Sequence, residues 1–153
     1  MKLFKKILLA LMIVFFIIQF IQPAHNKNDQ VLPTDLTKIY TVPDSVQHVL
    51  KIACYDCHSD NTSYPMYTYL QPVGWFMARH VKLGKADLNF NEFGTYSIRK
   101  QQSKLKAIVS QIKDDEMPLT SYKLMHADAR LSKEQKDLII NWATATKNNL
   151  QNK

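Results

Sequence analysis

A chain of 153 residues and 17.8 kDa can bury one modest hydrophobic core and not two. With 3 glycines, 6 prolines and no repeat or low-complexity tract, its composition predicts a compact, mostly helical unit and excludes β-rich and disordered classes. The formal charge of +7 comes without an arginine-rich run or aromatic interleaving, which excludes nucleic acid as a partner and leaves a solvated basic face suited to an acidic protein.

The first element is basic, then greasy. Lys2, Lys5 and Lys6 precede an unbroken apolar run from Ile7 to Ile18. With Leu3, Phe4, Phe20 and Ile21 the apolar stretch is about 19 residues, on the order of 28 Å as a helix. It is expected to be an N-terminal transmembrane helix over residues 1–22, single-pass in the inner (cytoplasmic) membrane, with the lysines inside and the domain on the periplasmic side. A cleaved secretory signal is the alternative, although no small-x-small triplet marks a cleavage site and the nearest candidate ends at Ala24. Residues 23–43, punctuated by Pro23, Pro33 and Pro43 and polar between them, read as a tether, and the domain proper is expected over 44–153.

The domain begins with a helix after Pro43, with Asp44 as a candidate N-cap and Val46, Val49, Leu50 and Ala53 at helical spacing. At its C-terminal end stands Cys54-Tyr55-Asp56-Cys57-His58, which holds both cysteines of the chain. C-x-x-C-H is the attachment signature of a c-type haem: each thiol adds to one vinyl group of the same porphyrin, and the histidine ligates the iron. A thioredoxin-like dithiol would need a helix N-terminus to stabilise a thiolate, whereas here the motif follows a helix. A disulfide across so short a loop removes little chain entropy. A zinc site would need a second close ligand pair, and His80 and His126 are far apart in the chain.

Tyr64 to Leu70 predicts a short aromatic turn after the polar stretch from Ser59 to Pro65. A helix over 73–83 is expected to stop at Gly84. A longer helix, from about Thr95 or Ser97 to Lys113, carries an apolar stripe of Ile98, Leu105, Ile108, Val109 and Ile112. The last helix opens at Ser132, where Ser-x-x-Gln to Gln135 forms a capping box, and Leu138, Ile139 and Trp142 give it an apolar face.

With His58 as one metal ligand, the other side of the iron is open to Met117, Met125, His126 and His80. Met117 is favoured because it lies far enough along the chain to return on the opposite face and is followed by Pro118, which suits a rigid loop. His80 is the competing ligand. His25 sits in the tether and His48 on the preceding helix.

These residues resemble the bacterial haem-binding domain family of c-type cytochrome character common in Bacteroidetes. The resemblance rests on Cys54-Tyr-Asp-Cys-His58-Ser59, Tyr64-Pro65, Gln71-Pro72-Val73-Gly74-Trp75, His80-Val81 with Gly84, Leu88-Asn89-Phe90, Met117-Pro118, Tyr122, His126, Ala129-Arg130-Leu131 and Trp142. It covers roughly residues 45 to 145. Phe93 departs from the pattern, where a tryptophan is usual, and so does Lys85, where arginine is usual. The resemblance implies one covalent haem c with His58 axial and an all-α fold similar to small cytochromes c.

The cofactor-binding residues are therefore expected to be Cys54, Cys57, His58 and Met117, with His58 and Met117 on the metal. The expected function is a membrane-anchored monohaem cytochrome that passes single electrons to a redox partner protein. The alternatives are a peroxidase-like haem enzyme or haem-based sensor with an open iron position, and a module whose haem is structural.

Overall fold

The computed structural model describes residues 2–28 and 30–151; Met1, Asp29, Asn152 and Lys153 lie outside them. The described residues are helical: α1 (Lys2–Ile18), α2 (Leu36–Ile39), α3 (Asp44–Ala53), α4 (Tyr55–His58), α5 (Val73–Asp87), α6 (Ile98–Lys113), α7 (Thr120–Met125) and α8 (Lys133–Gln151), with short 3-10 turns between them. The one β feature among these residues is an isolated bridge between Lys27 and Asn61. The all-α expectation matches this architecture.

The N-terminal helix corrects the expectation of a transmembrane span. It is 17 residues long, about 26 Å, against a hydrocarbon thickness of about 30 Å. Lys2, Lys5 and Lys6 occupy its first turns, so its uninterrupted apolar part is confined to residues 7–18. Among the described residues no helix is long and apolar enough to cross a membrane. The single-pass placement in the inner membrane, and with it the periplasmic side for the domain, loses its support.

The segment read as a tether is fastened to the domain. Just before it, Gln19 and Gln71 form a two-way pair, in which the Gln71 amide donates to Gln19 Oε1 and Gln19 Nε2 donates to the Gln71 carbonyl. Asn26 Nδ2 donates to the Ser59 carbonyl and to Thr62 Oγ1, and Asn26 Oδ1 accepts from Lys85. Leu36 is fully buried in the core. Polar composition hid this role because the glutamine and asparagine side chains take up backbone groups that water would otherwise satisfy.

Helices α6 and α8 pack along one another and α3 lies against α8. Their apolar faces meet in one cluster with Leu50, Phe90, Phe93, Leu105, Ile112, Ile139 and Trp142. Burial of each such side chain stabilises by roughly 1.5–3 kcal/mol. Ser97 caps α6 by accepting from the Lys100 amide, and Ser132 and Gln135 form the expected capping box, each side chain accepting from the other's amide. Pro43, not Asp44, holds the N-cap position of α3. Asp44 is its first helical residue, where a carboxylate still favours the dipole.

Helix α5 does not stop at Gly84 but runs through it to Asp87. A Cβ at Gly84 would lie 2.6 Å from the Cys57 carbonyl oxygen, so glycine serves here to let α5 approach α4.

Candidate functional site

The pentapeptide lies where α3 ends and the single turn of α4 begins. The Cys57 and His58 amides both donate to the Cys54 carbonyl, at 3.2 and 2.9 Å. This turn places two residues three apart on one side of the chain, which brings the Cys54 and Cys57 side chains to the same wall. Neither is in a disulfide. Burial, and then the neighbouring Cys57, push the Cys54 thiol up to about 12; burial and then Asp56 push Cys57 up to about 11. Both stay protonated and poorly nucleophilic, the opposite of a thioredoxin-like dithiol.

His58 is oriented by backbone. Its Nδ1 lies 2.9 Å from the Leu88 carbonyl oxygen, which only accepts, so Nδ1 carries the proton and Nε2 keeps its lone pair for a ligand. The Phe90 amide donates to the His58 carbonyl, and the Phe90 ring meets the imidazole edge-on at 6.2 Å.

In front of this wall is a cavity of about 310 Å³, lined among others by Cys54, Cys57, His58, His80, Leu83, Gly84, Met117, Pro118, Leu119 and Tyr122. A neighbouring recess of about 180 Å³ shares Cys57, His80, Leu119 and Tyr122 and continues toward Phe76, Met77, Met125 and His126. The cavity is in the range of small-molecule and cofactor sites, and most of its exposed lining is apolar.

Met117 reaches this cavity because of how α6 ends. Asp115 has φ 58, a left-handed conformation that aspartate tolerates better than most residues. The Glu116 and Met117 amides then fold back to the Gln111 carbonyl, and Lys136 of α8 pairs with Asp115. Pro118, the next residue, is buried.

The histidines separate clearly. His80 gives its Nδ1 proton to the Phe76 carbonyl at 2.8 Å, which leaves Nε2 free on the cavity wall. Both ring nitrogens of His126 are engaged: Nδ1 donates to the Tyr122 carbonyl and Nε2 accepts from the Tyr67 hydroxyl. His126 and Met125 line the recess, not the main cavity. His25 stacks on Tyr64, and His48 is exposed on α3.

Among the described residues no three His, Cys, Asp or Glu side chains are grouped to hold a metal ion. The donor set is instead two imidazoles, two thiols and a thioether lining one largely apolar cavity. That set fits an iron carried by a macrocycle that brings its own equatorial ligands.

Two participants take roles that the sequence does not spell out. The Leu88 carbonyl is backbone, and Tyr122, one of the residues of the family resemblance, donates its hydroxyl to Asp56 Oδ2 at 2.7 Å, a partner that spacing does not reveal. Gly84 had a signal: it lies one helical turn after His80, on the face that turns to the cavity.

No match was found among curated proteins or among solved structures. The sequence profile of the family described as "Haem-binding domain" matches residues 13–145, nearly the whole chain and every residue of the cavity, so this chain belongs to the haem-binding domain family and its cofactor is haem.

Proposed function

We propose that the chain is a c-type monohaem domain that carries single electrons to and from a redox partner protein. Cys54 and Cys57 would hold one haem through thioethers, His58 would meet the iron through Nε2, and Met117 would meet it from the other side. The observation that carries this reading is the convergence of Cys54, Cys57, His58 and Met117 on one largely apolar cavity.

Bound there, the group supplies a one-electron iron couple. The chain's residues hold it, orient it and keep water away. The Leu88 carbonyl fixes the imidazole, the fold-back onto Gln111 aims Met117 inward, and Leu83, Pro118 and Leu119 lower the local dielectric. A thioether ligand and an apolar wall both favour a high potential. With His58 and Met117 both holding the iron, the site would favour electron passage over substrate binding. Arg79 and Lys82 on α5 and Lys123 on α7 add positive charge to the helices that line the cavity and recess, which suits an acidic redox partner.

The test is the ferric absorption spectrum of wild type, Met117→Ala and His80→Ala. The sulfur-to-iron charge-transfer band is expected in wild type and His80→Ala and absent from Met117→Ala. A band that survives in Met117→Ala, or is missing from wild type, overturns the ligand assignment.

A second reading is favoured by the free Nε2 of His80 on the same wall. His80 would then be the second ligand, or, with the position left open, an acid–base group in a haem enzyme or sensor. A prompt spectral shift of the ferrous wild type with carbon monoxide supports the open position.

A further inference from the structure

The Leu88–Asn89 peptide is held at both ends. Its carbonyl oxygen accepts the Nδ1 proton of His58 at 2.9 Å, and its N–H donates to the Tyr96 hydroxyl at 3.0 Å. In a trans peptide the two groups point in opposite directions within one rigid plane, so a contact at each end fixes the plane. The two bonds also reinforce each other: an amide whose N–H is bonded is the stronger acceptor at its carbonyl.

Neither support is loose. The Tyr96 ring packs against the fully buried Phe93, and the Lys100 ammonium lies 3.7 Å from its centroid. The Asn89 side chain, 2% exposed, ties the same peptide to the loop after the pentapeptide: Nδ2 donates to Asp60 Oδ1 at 2.8 Å, and Oδ1 accepts from the Asn91 amide. Lys85 pairs with that Asp60 oxygen at 2.7 Å. None of these side chains lines the cavity.

We infer that Tyr96 is a positioning residue for the His58 imidazole, acting through the Leu88–Asn89 peptide, with Asn89 as the second support of that peptide. The inference rests on the haem c reading above. A firmly held acceptor at Nδ1 fixes the ring's tautomer and rotation and makes Nε2 the better electron donor. Stronger donation favours the ferric state, so the support holds the reduction potential down.

The experiment uses the haem-loaded full chain as wild type, Tyr96→Phe and Asn89→Ser. Three quantities are read: covalent haem content, reduction potential, and the solvent exchange rate of the His58 Nδ1 proton in the reduced protein. In Tyr96→Phe, haem content is expected to stay at the wild-type level, the potential to rise, and exchange to quicken about fivefold, the worth of one net hydrogen bond. Asn89→Ser is expected to move the potential and the exchange rate in the same direction, and it decides the matter if Tyr96→Phe does not fold. A merely structural role lowers the melting temperature and leaves both readouts unmoved, and that result overturns the inference. A wild type that carries no covalent haem overturns the reading beneath it, and is distinguished at the first of the three measurements.

Discussion

A Cβ placed on Gly84 would lie 2.6 Å from the carbonyl oxygen of Cys57 and 3.1 Å from its Cβ. The obstacle is backbone, which cannot rotate away as a side-chain tip can. Gly84→Ala must therefore push α5 off α4 and open the wall that carries the second cysteine. Overpacking of this kind costs about 1–3 kcal/mol. The expected result is a lower denaturant midpoint together with reduced haem content, whereas Gly94→Ala, whose nearest atom is 3.1 Å away on Thr34, should cost less. Equal stability of Gly84→Ala and wild type would contradict the close approach.

In the haem-free chain both thiols are held neutral, burial pushing Cys54 up to about 12 and Cys57 up to about 11 from an ordinary 9.0. A raised thiol pKa means that the unfolded chain releases its protons first. The folded haem-free chain should therefore keep this contribution below about pH 9 and lose it progressively as pH rises toward the folded values. Alkylation by iodoacetamide should be slow near neutral pH in the folded chain and fast in urea. Rapid labelling of the folded chain at neutral pH would contradict the burial.

Tyr122 donates to Asp56 Oδ2 and so ties α7, which begins two residues after Pro118, to the middle of the pentapeptide. Tyr122→Phe removes only the hydroxyl and leaves a carboxylate short of one donor. The expected loss is about 1–3 kcal/mol in urea or guanidinium unfolding. Because the loop above the cavity loses a fastening, a smaller fraction of chains should carry haem. Unfolding curves that coincide with wild type would show that the bond carries no weight.

Asn26 is bonded on every side: its amide donates to the Tyr64 hydroxyl, its carbonyl accepts from the Thr62 amide, and its side chain meets Ser59, Thr62 and Lys85. Asn26→Ala keeps the backbone bonds and deletes the rest. Thermal unfolding should show a loss of about 1–3 kcal/mol, and proteolysis should begin to cut within residues 23–35. A variant as resistant as wild type would show that the Asn26 side chain carries no weight, and ready cleavage of wild type itself within residues 23–35 would mean that the segment is a tether after all.

Legibility followed periodicity and broke down at polarity. Val46, Val49, Leu50 and Ala53 mark α3 at helical spacing and all four are buried there. The Ser132–Gln135 box likewise marks the start of α8. Gly84 misled because a glycine late in a helix has two uses, termination and close approach, and only the position of Cys57 distinguishes them. Asn26, Asp35, Asp60 and Asn89 read as loop residues, yet three of the four are buried and each satisfies backbone or charge. Their burial depends on partners distant in the chain, which spacing does not reveal. The apolar count from Leu3 to Ile21 overstated α1, which ends at Ile18 and spends its first turns on lysines. At the site, Cys54, Cys57, His58, Met117 and His80 were all visible and share one cavity. The carbonyl that orients His58 was not visible, since every residue has one.

Whether Cys54 and Cys57 hold one haem covalently is read from intact mass under denaturing conditions. The chain should be produced in a host that matures c-type haem, as wild type and as the Cys54→Ala, Cys57→Ala double variant. Denatured wild type is expected to retain the mass of one haem and to stain for it on a denaturing gel, while the double variant retains none. A wild type that sheds its haem on denaturation would rule out the thioethers and leave a haem-binding domain that holds its cofactor without covalent bonds.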